Sequence, residues 1–245
     1  MTDERPHRTP DAHATEPRTP REDASASRAS DELRAGPIGG QLWAVARGIF
    51  IALRLPALAA RYDSTAVLAV FSFLNGCISI ALMAAVALVS HQPFVFPSLG
   101  PTAFLFFYTP LAPSASPRNA FIGHLIGVVA GWTSLAAFHL LHAGPALTTG
   151  VTAARIGAAA LSLGLTSGLM VLLRAPHPPA GATTLIISLG LLRRVEELVV
   201  LMAAVVLLTV QAMVINRLAG VPYPVWGARK TQGAGTPGTA MRERS

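Results

Sequence analysis

From Ser64 to Val195 the chain contains no aspartate and no glutamate. A soluble domain of that length would need charge of both signs over its surface. The same region holds several apolar runs long enough to cross a hydrocarbon core of about 30 Å. The chain therefore reads as a multi-pass membrane protein whose charge is concentrated toward its two ends. Across all 245 residues, 52% are apolar and 13% charged, with a formal net charge of +7. Loop and tail arginines explain that excess, and no basic cluster interleaved with aromatics points to nucleic acid. The single cysteine, Cys77, excludes an intramolecular disulfide framework and a cysteine-based metal site, and no cofactor is implied.

Two interruptions break the apolar runs. In Arg174-Ala175-Pro176-His177-Pro178-Pro179-Ala180-Gly181-Ala182-Thr183-Thr184, three prolines each remove a backbone donor and push the preceding residue toward extended geometry. The apolar run that follows, from Ala182 to Leu192, is about half as long as a span. That describes a half-helix starting inside the protein, at Pro179 to Thr183, where unpaired N–H groups favour an anion. A second break, Phe96-Pro97-Ser98-Leu99-Gly100-Pro101-Thr102-Ala103, precedes a short apolar run from Phe104 to Tyr108. Residues 97–102 and 178–183 share the pattern P-x-x-G-x-T, 81 residues apart. Alone the pattern is weak. Its force comes from recurring in one context: full span, break, half-helix, full span.

The remaining chain falls into place around these breaks. Residues 1–38 are polar, Pro- and Arg-rich and without a hydrophobic period, and read as a disordered tail. In residues 39–63, Arg47, Arg54 and Arg61 recur every seven residues. That spacing fits an interfacial amphipathic helix with Trp43 at headgroup level, or a helix packed on the protein's own cytoplasmic face, which Pro56 would kink or end. Full spans are predicted at Ala66–Val89, Asn119–Leu141, Ala153–Leu173 and Leu198–Ile215, with a polar loop at 193–197. Asn75 in the first span needs a partner in hydrocarbon, as helix-to-helix glue or as a ligand contact. Gly123, Gly127 and Gly131 form a small-residue ridge, which Gly164 and Gly168 repeat. Such ridges serve packing within one chain or between copies in a homo-oligomer. His124 beside Gly123 reads as a satisfied structural histidine or a ligand. Residues 219–245 read as a flexible tail.

If the half-helices only dip in and return, Arg118, Arg174, Arg193 and Arg194 all lie outside, against the positive-inside tendency. If each half-helix and its arm complete a crossing, Arg118 and Arg174 move to the cytoplasmic side, with both termini. The fold expected is all-α: a polytopic membrane bundle of four full helices and two broken half-helices. Repeat one (64–142) and repeat two (151–218) of the 64–218 domain would then be inverted, bringing the two breaks together near the midplane.

Taken together, residues 97–103, Ser116-Pro117-Arg118-Asn119 with Gly123-His124, and His177-Pro178-Pro179-Ala180-Gly181-Ala182-Thr183 resemble the HPP family of integral membrane proteins, named for its His-Pro-Pro motif. The resemblance spans about residues 66–217, with three separated motifs in the same order. It implies a membrane domain of four transmembrane helices, and plant members are associated with nitrite uptake into chloroplasts. Some members carry a C-terminal CBS pair. The residues after 217 are too few for one, so regulation by adenosine ligands is not expected.

A small anion, nitrite-like, is the expected substrate of a transporter or channel in the cytoplasmic (inner) membrane. Its site would draw on Ser98, Gly100, Pro101, Thr102, His177, Pro178, Pro179, Gly181, Thr183 and Thr184, with Asn75 and His124 behind them. His177 acts there directly, or serves as a hinge bonded to a carbonyl. Membrane lipids, anionic at the cytoplasmic face, are the other partners. Without buried carboxylates, coupling through an intramembrane Asp or Glu is not available. The alternative is a non-transporting assembly or sensor protein in which the broken helices are structural. An enzyme with His177 as base is disfavoured for want of an orienting acid; a nucleophile within reach of His177 would revive it.

Overall fold

The computed structural model describes residues 54–228, all within the compact unit formed by residues 53–245. The expected helix over residues 39–63 lies mostly outside these residues. Its described end is α1, Leu55–Ala59, which Pro56 opens rather than breaks, because the first helical turn does not use the missing N–H. Then follow α2 (Ser64–Ser90), α3 (Leu99–Tyr108), α4 (Pro117–Ala137), α5 (Ala146–Thr149), α6 (Ala153–Leu172), α7 (Ala180–Ser188) and α8 (Val195–Leu218). No strand occurs among the described residues, and α2, α4, α6 and α8 are long and apolar enough to cross a membrane. The half-helices α3 and α7 start at the two sequence breaks. Apolar side chains face outward along the long helices: Phe73 is 69% exposed, Leu88 76% and Val171 76%. A belt of that extent is tolerated in lipid, not in water. The chain is a multi-pass helical membrane protein.

Helix boundaries follow local chemistry. The Asp63 carboxylate accepts from the Ala66 N–H at 2.7 Å, so α2 begins two residues before the apolar run. Ser116 caps α4 and Thr152 caps α6 in the same way. Of the loop expected at 193–197, residues 195–197 are in fact the first turn of α8, with Arg194 as its N-cap. There Glu197 accepts from the N–H groups of Arg193 and Arg194, at 3.0 and 3.2 Å, satisfying donors that a helix start leaves unpaired. At the other ends, α7 and α8 stop at glycines with positive φ, Gly190 (+84°) and Gly220 (+83°). α4 and α6 put His139 and Arg174 in that left-handed position instead.

Hydrogen bonds sort the loops to two ends. At one end, Arg118 donates from its backbone to Trp226 and from its guanidinium to the carbonyls of Leu173 and Arg174. The Leu55 N–H reaches the Ala219 carbonyl there, and Arg217 reaches that of Tyr223. At the other end, Arg155 donates to Gly144 and Ser188, and Arg193 to Ala143. The C-terminal part of α3 lies near the first end, where the Phe106 carbonyl accepts from Asn216, close to the end of α8. α7 finishes at the second end. The half-helices therefore run in opposite directions. α4 packs on α6 and α7 while α8 packs on α2 and α3.

Residues 219–228, assigned to the tail by composition, pack against this bundle. Tyr223 is 1% exposed and its hydroxyl donates to the Ala115 carbonyl. Burial pushes the Tyr223 phenol above its ordinary pKa. Because the unfolded chain then loses that proton first, this group's contribution is constant below about pH 10 and falls above it. Tyr223→Phe should cost about 1 kcal/mol at neutral pH and flatten the alkaline decline, as read from thermal melts in detergent.

Candidate functional site

Thr102 and Thr183 each close a P-x-x-G-x-T motif, and each is the fourth residue of its half-helix. They meet at one imidazole. His124 Nε2 lies 3.0 Å from Thr102 Oγ1, and His124 Nδ1 lies 2.7 Å from Thr183 Oγ1. His177 completes the cluster, its Nε2 3.2 Å from both His124 Nε2 and Thr102 Oγ1. All four side chains are fully buried. His177 Nδ1 sits 2.7 Å from the Ser114 carbonyl, which can only accept, so this nitrogen carries a hydrogen. In a neutral His177 the Nε2 is then an acceptor, and a single hydrogen from Thr102 or His124 fills the space between the two rings.

The glycine ridge of α4 brings His124 here. A Cβ on Gly123 would lie 2.7 Å from His177 Cβ. One on Gly127 would lie 2.8 Å from the Ala180 carbonyl and from Thr184 Oγ1, and one on Gly131 2.9 Å from Ile187 Cβ. The ridge therefore packs within the chain, against α7, at a separation that only glycine permits. Gly164 and Gly168 have open space beside them and pack on nothing among the described residues.

The second motif enters one residue richer in chemistry than the first. In the 81-residue register, Phe96 stands where His177 stands, and it is buried among apolar groups. The C-terminus of α7 is held by Arg155, 2% exposed, whose guanidinium donates to the Ser188 carbonyl at 3.2 Å and the Gly144 carbonyl at 2.7 Å. A cation there complements the helix dipole. Arg155→Met should lower thermal stability by about 3 kcal/mol, because two charged hydrogen bonds are lost and their carbonyls stay buried.

Several expected site residues lie elsewhere. Gly100, Pro101 and Pro178 are on exposed faces. Asn75 is buried but donates to the Phe71 carbonyl of its own helix, at 2.8 Å. Thr184 faces α6, where it pairs with Thr166 at 2.7 Å. Gly181 is half-buried beside Leu163, and Pro179 is buried just before α7. Ser98 is fully buried; its carbonyl accepts from Thr102, while its hydroxyl has no partner among the described residues. The backbone-amide cradle expected at the start of α7 is not open. The N–H groups of Ala180, Gly181 and Ala182 donate to the carbonyls of His177, Pro178 and Pro179, at 3.0 to 3.1 Å. The Leu99 N–H likewise donates to Phe96. Tight turns consume all three of these donors at α7 and the first at α3, so the chemistry passes to side chains.

Thr166 and Ser114 were not foreseen. Thr166 had a weak signal, a polar position four residues after Ser162 in a largely apolar helix. Ser114 contributes only a carbonyl and had none. Thr102 also supplies the hydroxyl within reach of His177 that would revive an enzyme. However, that hydroxyl has the Ser98 carbonyl at 2.9 Å, and the first-turn amides of α7 are already bonded. Among the described residues no group of three or more His, Cys, Asp or Glu side chains gathers to hold a metal.

A family model described as HPP, transmembrane region, matches residues 61–224. A transmembrane protein of Dictyostelium discoideum is 28% identical over 137 residues, 54% of this chain and 45% of that relative. The chain thus spans somewhat under half the length of that relative. No solved structure matches.

Proposed function

Because the chain belongs to the HPP family of transmembrane proteins, and because its buried centre holds two imidazoles and no acid, we propose that it carries a small, nitrite-like anion across the membrane. The observation that carries this reading is the meeting of both motif threonines at His124. Any charge such a cluster takes is positive, so a charged occupant that balances it is an anion. The resemblance to plant members points the same way. The conformation described is closed, and transport follows from rocking one repeat against the other around the cluster.

An anion seated between the imidazoles replaces their Nε2–Nε2 contact and accepts from an N–H on each side. That arrangement holds one hydrogen more than the empty cluster, so one proton accompanies each anion. Uptake of nitrite into proteoliposomes, above protein-free liposomes, should rise as external pH falls from about 8 to 5 and should carry no net current. Absence of flux of nitrite, nitrate, formate and chloride throughout that range would leave the assembly or sensor reading in its place.

A further inference from the structure

We propose that the crevice between α6 and the arm 173–179 binds one anionic phospholipid, its phosphate at Arg174 and an acyl chain along α6. The crevice, about 670 Å³, has Leu163, Met170 and Val171 on one wall and Pro176 and Pro178 on the other. It opens outward: Val171 is 76% exposed, on the lipid-facing side of the bundle. From Leu163 to Arg174 a helix rises roughly 16 Å, about half the thickness of a hydrocarbon core. That is the depth of one leaflet.

Charge marks one end only. Arg174 lines the crevice where α6 finishes, and Arg118 donates to its carbonyl at 3.3 Å. No acid lies between residues 64 and 195, and the ion pair recorded among the described residues, Arg194–Glu197, belongs to the opposite end of the bundle. A guanidinium beside a second arginine, at the mouth of an apolar groove between membrane helices, suits a phosphodiester headgroup. In this closed arrangement the groove floor offers a small soluble anion little, because both nitrogens of His177 are engaged with Ser114, Thr102 and His124 until the two imidazoles separate.

Arg174 also occupies a position that backbone geometry would give to glycine. Its φ is +49°, and it sits just past the end of α6, where its own N–H donates to Val171 and that of Ala175 to Met170. Glycine closes this turn without the steric penalty. Arg174→Gly therefore removes the headgroup contact while easing the fold, so loss of binding cannot be put down to unfolding.

The test is lipid retention by the full chain in mild detergent, read by native mass spectrometry with phosphatidylglycerol or phosphatidylcholine of matched chains. The wild type should retain phosphatidylglycerol about tenfold better, a difference of about 1.4 kcal/mol. Arg174→Gly should melt no lower than the wild type and lose the preference. Met170→Trp, which fills the groove, should retain neither lipid. The proposal is overturned if the wild type holds both lipids equally or if Arg174→Gly keeps the preference. Displacement of phosphatidylglycerol by free glycerol phosphate at equal concentration would also overturn it, since the acyl chain would then contribute nothing. None of these readings depends on transport.

Discussion

His124→Phe should reduce anion flux in proteoliposomes about a hundredfold. Phenylalanine fills the volume between the half-helices but offers no hydrogen bond to Thr102, to Thr183 or to an anion. A hydrogen bond from a charged donor contributes about 1.5–3 kcal/mol, and each 1.4 kcal/mol is about a factor of ten. His124→Gln keeps one donor and one acceptor and should retain an intermediate rate. The stability loss should be smaller than the loss of flux, because both threonine hydroxyls can turn to a carbonyl one turn back, as Thr102 already does with Ser98. Flux through His124→Phe equal to the wild type would remove the cluster from the pathway.

The second large effect belongs to the ridge. Gly127→Leu should fail to give a monodisperse protein, and Gly127→Ala should lower the melting temperature and cut flux at least about tenfold. The methyl of alanine would sit 2.8 Å from the Ala180 carbonyl oxygen, a backbone atom that cannot swing aside. Overpacking of this kind costs about 1–3 kcal/mol, relieved only by moving α7 away from α4. That movement pulls Thr183 off His124, whose contact is 2.7 Å, so stability and transport fall together. Gly164→Leu is the control: open space beside it should leave the melting temperature of the solubilised protein unchanged. Equal behaviour of the Gly127 and Gly164 variants would mean that α4 and α7 are not in this close packing.

The fold was legible where a residue acts through its own backbone. Prolines at 97, 101, 176, 178 and 179 are excluded from a helix interior and tolerated only in a first turn, so both breaks could be read without knowing what lay beside them. The 123–127–131 ridge was legible for the same reason, though not what it packs on. Partnership was harder. His124 gains its role from Thr183, 59 residues away, and nothing near it in sequence separates that role from structural filling. The amide cradle was misjudged because turn carbonyls at 177–179 satisfy the donors first, a detail set by the exact path of the arm. Arg193 to Glu197 read as loop because its charges outweighed its capping pattern, whereas Glu197 uses that charge to start α8.

The most direct measurement is an anomalous difference map from crystals of the full chain grown in bromide, with nitrite competition in a matched set. The expected result is a peak within hydrogen-bond reach of His124 and Thr102, between the starts of α3 and α7, that nitrite removes. Peaks confined to surface arginines, from a protein that still transports anions, would contradict a site at the meeting of the half-helices.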